Sequence, residues 1–253
     1  MKKFLSVAFM MVCLTTFLSA QQSLDTNGKK FTLGVLGGLN IPQLSGGNGN
    51  ELSRDYSSRR GEAFGLSAFW YLNSKFAIGA NALYSSEGGQ RNGMQAIDGH
   101  AFNNMLPAGT YLYADFNNES ILNYLEIPVM VKYSVPVTPA SDFYVNLGPY
   151  TGFLLNAKQK TSGSSVVYAD RSATIPVSPG PVSFDASSNT TSSIRSVNFG
   201  LTGGVGLTQS IGIGDLFLDL RGAYGLRVIQ KDPADGSSHS GSLLIALGYS
   251  FPL

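Results

Sequence analysis

The sequence predicts an all-β fold, an eight-stranded antiparallel up-and-down transmembrane β-barrel with three short periplasmic turns and four long extracellular loops. Three observations predict it. Side chains alternate apolar and polar over eight separate segments, and a period of two is that of a half-buried strand. Thirty glycines, 12 tyrosines and 15 phenylalanines accompany only 13% charged residues, where a soluble domain carries about 25%. The segments are joined alternately by short and long connections, an asymmetry of outer-membrane barrels.

The chain opens with MKKFLSVAFMMVCLTTFLSA, residues 1–20: two lysines, an apolar run from Phe4 to Leu14, and small residues closing at Ala20. That is the three-part pattern of a secretory signal peptide, with cleavage expected between Ala20 and Gln21. The run is shorter than the roughly 18 apolar residues of a spanning helix. Residues 21–30 then read as a short lead, and 31–253 as a single outer-membrane β-barrel domain. The only cysteine, Cys13, lies in the leader, so the mature chain is expected to have neither a disulfide nor a thiolate metal site. Loss of Lys2 and Lys3 takes the 17 basic residues to 15, against 16 acidic ones. A net charge near −1 gives no reason to expect nucleic acid as a partner.

The eight segments follow in order. The first sets Phe31, Leu33, Val35, Gly37 and Leu39 against Thr32, Gly34, Gly38 and Asn40. In the second, Phe64, Leu66, Ala68, Trp70 and Leu72 oppose Gly65, Ser67, Phe69 and Tyr71. The third alternates from Phe76 and Ile78 to Tyr84, with Gly79, Asn81 and Ser85 opposite. The fourth is YLEIPVMVKYSVP, 124–136, where Leu125, Ile127, Val129, Val131, Tyr133 and Val135 share a face and Glu126, Pro128, Met130 and Lys132 share the other. Glu126 and Lys132 are six apart, which is one side of a strand, and Pro128 argues against a helix. The fifth carries Phe143, Val145, Leu147, Phe153 and Leu155 on its apolar face, and the sixth Val197, Phe199, Leu201, Val205 and Leu207. Leu216, Leu218, Leu220, Tyr224, Leu226 and Val228 mark the seventh, opposite Asp219, Arg221 and Arg227. The eighth runs Leu243, Ile245, Leu247, Tyr249, Phe251.

None of these apolar faces holds a charge. A lysine on the lipid face near the midplane costs about 2–4 kcal/mol, a large part of the about 5–15 kcal/mol by which a domain is stable. The strand charges Glu126, Lys132, Asp219, Arg221 and Arg227 are therefore expected to point into the lumen as a buried ionic network. The bulky apolar faces suit lipid better than an interior that is only just wide enough for its own side chains. Pro128 deletes a ladder hydrogen bond, so a bulge or local widening is expected there. The long connections are 41–62, 86–122, 159–194 and 230–240. Beside the short turns an aromatic belt is expected from Trp70, Phe76, Tyr133, Phe143, Tyr249 and Phe251, at a membrane interface.

YLEIPVMVKY resembles the YLEIP-type motif of the PorT-like outer-membrane β-barrel proteins of Bacteroidetes. GPYTGFLL, NFGLTGGVGL, LFLDLRGAYGL and the closing LGYSF are similar to the same family, over essentially the whole mature chain. The resemblance implies a cell-envelope protein, with an accessory role in envelope biogenesis or secretion as one implied activity. The C-terminus, with Gly248, Phe251 and Leu253, resembles the signal read by the barrel-assembly machinery, which is the partner implied during biogenesis.

Candidate chemistry is sparse. His100 stands near Asp98 in AIDGHAF, and His239 between Ser238 and Ser240 in SSHSG. A composite rim site of His, Ser and Asp is conceivable, but solvated loop histidines are the better reading, so no catalytic residue is assigned. Two distant histidines match no metal-ligand spacing, and no cofactor is expected. The Ser-, Thr- and Pro-rich stretch 161–193 suits a solvated loop, and binding in barrels resides in such loops. The reading is an integral outer-membrane barrel with a plugged lumen and surface loops, in a structural, binding or envelope-accessory role. Its expected partners are outer-membrane lipid and an extracellular or envelope partner of the loops. A rim enzyme acting on lipid or peptide, a narrow pore and a soluble periplasmic barrel are the alternatives.

Overall fold

The computed structural model describes residues 30–253. The expected signal peptide, residues 1–20, and all but the last residue of the lead lie outside the described residues. Eight long strands carry the fold: β1 Phe31–Ser45, β2 Gly61–Tyr71, β3 Phe76–Asp98, β4 Tyr111–Thr138, β5 Ser141–Ser162, β6 Val197–Ser210, β7 Asp215–Gly225 and β8 His239–Pro252. Each pairs antiparallel with its neighbours in sequence. β8 returns to pair with β1 from Thr32↔Pro252 to Ser45↔His239, which closes the ring. Closure leaves no sheet edge within the barrel, as a lipid-embedded sheet requires.

The short turns form for local reasons. Asn73 Oδ1 accepts the backbone N–H groups of Lys75 and Phe76, each at 2.9 Å, and so folds the β2–β3 turn. Gly212 takes a φ of 90° in the β6–β7 turn, a conformation open to glycine and unfavourable for most other residues. At the opposite end the strands are unequal. β3, β4 and β5 have 23, 28 and 22 residues, whereas β2 and β7 have 11 each.

Much of what reads as loop in the sequence is therefore strand. The β3–β4 pairing continues unbroken in register from Leu83↔Glu126 to Asp98↔Tyr111, leaving only residues 99–110 as a connection in place of 86–122. β5 continues to Ser162, where its outer part also pairs with the short strand Ala186–Asn189. Gly88, at φ 122°, lies where a Cβ would meet the Ser120 carbonyl oxygen across the ladder.

Pro128 interrupts the β3–β4 ladder, which skips from Ala80↔Val129 to Leu83↔Glu126 without changing register. The strands thus part locally and no bulge forms at the proline. The bulge lies further along, where Asn123↔Asn156 is followed by Tyr124↔Leu154 and Leu155 is the extra residue.

The barrel is apolar outside and polar inside. Leu66, Trp70, Leu147, Leu201, Leu218 and Leu247 are exposed on its exterior. Inside, Leu36, Ala63, Leu83, Leu244 and Ala246 form one small apolar cluster. A second, of Leu44, Leu122, Tyr124, Ala157, Ile194 and Ile229, caps the lumen at the long-loop end. Beyond the barrel, Leu112, Ala114 and Phe116 of β4 pack on Val167, so the 163–196 segment is held against the extended hairpin.

Candidate functional site

Alternation alone directs the lumen side chains. On β7, Asp215, Asp219 and Arg221 are buried while Leu216, Leu218 and Leu220 are exposed. Asp219 and Arg221, two apart on one strand, form an ion pair at 3% and 5% side-chain exposure. With the Asn81 amide oxygen turned toward Arg221, it accepts from the guanidinium at 2.9 and 3.3 Å. Lys132 lies one layer away, its Nζ 4.0 Å from the Tyr144 ring centroid and 5.4 Å from that of Phe69. Two aromatic faces at that range attract a desolvated ammonium.

Glu126 lines the same void as Arg221 but makes no ion pair with it. Arg227 stands apart. β7 ends at Gly225, and the Arg227 guanidinium donates to the Val197 carbonyl at 3.3 Å. Of the five charges read from sequence, Asp219 and Arg221 are joined directly, Glu126 and Lys132 share their lumen, and Arg227 sits at its mouth. The lumen holds a further carboxylate that sequence reasoning missed. Glu87, 2% exposed, accepts from Asn40 Nδ2 at 2.8 Å and Ser85 Oγ at 2.9 Å.

These side chains fill the interior. Among the voids between them are two of about 20 Å³ each, and a cavity needs roughly 10–15 Å³ to hold one water.

The exterior carries aromatics at both ends of its apolar band. Trp70, Phe76, Tyr133 and Phe143 are exposed near the short turns, with the Phe76 ring tilted against Tyr133 at 4.9 Å and Tyr249 edge-on to Phe251 at 4.6 Å. A second group, which sequence reasoning did not single out, comprises Phe64, Tyr84, Phe153, Phe199 and Tyr224, with Phe64 and Tyr84 stacked at 4.9 Å. Along β5 the two levels are separated from Phe143 to Phe153. Ten residues at about 3.3 Å, tilted about 40°, span about 25 Å, the height of an outer-membrane barrel's apolar band. Above it the outer face turns polar. Glu62, Lys158 and Lys160 are exposed there, and Arg59 pairs with Glu119 at 2.9 Å.

Above the lumen, the 46–60 connection meets the 163–196 connection. Arg54 Nη1 lies 2.5 Å from Glu51 Oε1, and Arg171 Nη2 lies 2.6 Å from Asp55 Oδ2. The hydrogen bond from Arg171, with the nearby Arg54, holds the Asp55 carboxyl below its ordinary range even against partial desolvation.

Each histidine ring meets a backbone carbonyl. Asp98 accepts the backbone N–H groups of His100 and Ala101 at 2.9 and 3.4 Å, capping the single turn Gly99–Phe102 and leaving the imidazole without it. His100 Nδ1 is 2.7 Å from the Leu106 carbonyl, and His239 Nδ1 is 3.0 Å from that of Gly225. Among the described residues, no group of three or more His, Cys, Asp or Glu side chains is placed to hold a metal ion.

Residues 19–230 match the family described as outer membrane protein beta-barrel domain. Among solved structures, the chain is similar to Ail, the attachment invasion locus protein of Yersinia pestis. Identity is 13%, coverage is 88% of this chain and 99% of that one, and the TM-score is 0.35. It is also similar to Neisserial surface protein A, at 11% identity, 88% and 97% coverage and a TM-score of 0.42. The outer membrane protease OmpT of Escherichia coli follows at 9% identity, 92% and 99% coverage and a TM-score of 0.30. No curated protein matches the sequence.

Proposed function

The chain belongs to the outer membrane protein β-barrel domain family, and from that premise we propose that it is a non-conducting, non-catalytic barrel whose extracellular face binds a partner. Its location is the outer membrane. The observation that carries the reading is the combination of a filled lumen with a wall of β3, β4 and β5 that rises past the apolar band and holds the 163–196 segment against it. A barrel built to pass solutes would keep its axis open; a barrel built to hold a surface in place can close it.

The two aromatic levels fit the lipid interfaces, and acyl chains are the partner of the band between them. Export by a leader cleaved after Ala20, and insertion by the barrel-assembly machinery through the Gly248–Leu253 end, complete the route. Within the family, the YLEIPVMVKY strand favours kinship with the PorT-like barrels of Bacteroidetes and an accessory role in the envelope.

Planar-bilayer recordings of the purified full chain test the closed lumen. The expected trace is flat, and stepwise single-channel openings would refute the reading in favour of a pore.

A further inference from the structure

Among the described residues, Arg91 is a buried cation without an anion. It is 6% exposed, its Nε has no hydrogen-bond partner, and its guanidinium lies 4.7 Å over the Tyr56 ring. The residue is fixed by the extended hairpin, where it pairs in register with Asn118 of β4. It lines a cavity of about 30 Å³ together with Arg54, Arg171, Glu51, Asp55 and Gln95. The two carboxylates there are already engaged. Glu51 takes Arg54 at 2.5 Å and Arg171 at 3.7 Å, and Asp55 takes Arg171 at 2.6 Å and Arg54 at 3.2 Å. Three guanidiniums against two carboxylates leave one positive charge in the cavity lining, and Arg91 is the one that no side-chain acid among the described residues meets.

A guanidinium presents a planar fork of donors suited to a carboxylate or other oxyanion, and a buried one left unmatched is unfavourable. Met94 and Ala96 line the same cavity and offer an apolar flank for the carbon that bears an acid group. From this geometry we infer that the Arg91 cavity is an extracellular site for the carboxylate group of an organic ligand. The cavity's size, room for about two waters, admits the acid group alone, with the rest of the ligand outside. This assigns a chemistry to the surface binding proposed above, and it rests on that reading only for which side of the membrane the site faces.

The test is isothermal titration of the refolded full chain in detergent with sodium propionate and, separately, inorganic phosphate. The wild type is expected to bind propionate one-to-one in the millimolar range and more tightly than phosphate. Arg91→Gln is expected to weaken propionate by about tenfold or more, the loss of one charge-assisted contact. Folding of each variant is checked by heat-modifiable gel migration. If Arg91→Gln fails that check, Arg91→Lys, which keeps the charge and loses the fork, carries the test with an expected weakening of several-fold. No saturable propionate binding, a preference for phosphate, or a folded Arg91 variant that binds as the wild type does would overturn the assignment. Because the titration is done in detergent, its failure leaves the closed-lumen reading standing, just as channel openings would leave an occupied cavity standing.

Discussion

Asp219→Ala is the most informative single change in the lumen. Asp219 is 2% exposed and Arg221 5%, so removing the carboxylate leaves a guanidinium inside the barrel with the Asn81 amide as its remaining polar contact. Breaking a buried pair in this way costs about 3–5 kcal/mol, set against a total of about 5–15 kcal/mol. The pair is itself incompletely satisfied, since Asp219 Oδ1 and Arg221 Nε have no partner. Asp219→Ala combined with Arg221→Met should therefore recover most of the loss, because apolar replacements of a buried pair are often neutral or better. Urea unfolding in lipid vesicles measures both. The single tryptophan, Trp70, is exposed on the outer face, so its fluorescence reports withdrawal from lipid directly. A loss below about 1 kcal/mol for Asp219→Ala, the value of a solvated pair, would refute the argument that this pair is buried away from bulk water.

Two further outcomes are expected. Leu218→Arg, at a position 47% exposed on the outer face, should cost about 2–4 kcal/mol in the same vesicle assay if lipid covers it. A soluble barrel would accept that surface change within about 0.5 kcal/mol. The contact between the 46–60 and 163–196 connections should depend on pH with a defined sign. The Asp55 carboxyl is held below its ordinary value of 3.8 by the Arg171 hydrogen bond, so its contribution is complete above that value and is lost as pH falls through the lowered one. Proteolytic nicking within 163–196 should accordingly rise only at strongly acid pH. Arg171→Gln should remove that acid-dependent step, and a step that persists in the variant would contradict the assignment.

The exterior of the barrel was legible because lipid imposes one uniform demand on every second residue. From Phe31 to Leu39 and from Leu216 to Tyr224 each outward position could be read by parity alone. Legibility ended where a second layer covers the sheet. From Ser86 to Gly89 every residue is buried, because the chain at Ser57 pairs along the edge of β3 at Gln90 and the Arg59 side chain lies against Ser86 and Glu87. With both faces covered, period two vanishes, so Glu87 and Arg91 were read as loop. Parity also misled where the backbone departs from regularity. Leu155 is bulged, so Asn156 joins the outer face and Ala157 turns inward. Arg227 shares the parity of Arg221, but it follows the end of β7 and its side chain answers to local backbone. The lumen pair Asp219–Arg221 needed only alternation to locate; Arg91 needed the fold of two connections that sequence leaves unplaced.

The unequal strands give the molecule a front and a back. A 28-residue strand rises at about 3.3 Å per residue, so β4 stands far taller than the 11-residue β2 and β7. An anchored barrel is free to spin about the membrane normal, yet only one flank reaches outward past neighbouring headgroups. The crest of β3 and β4 therefore marks one direction in the barrel's own frame, and that direction turns with the anchor.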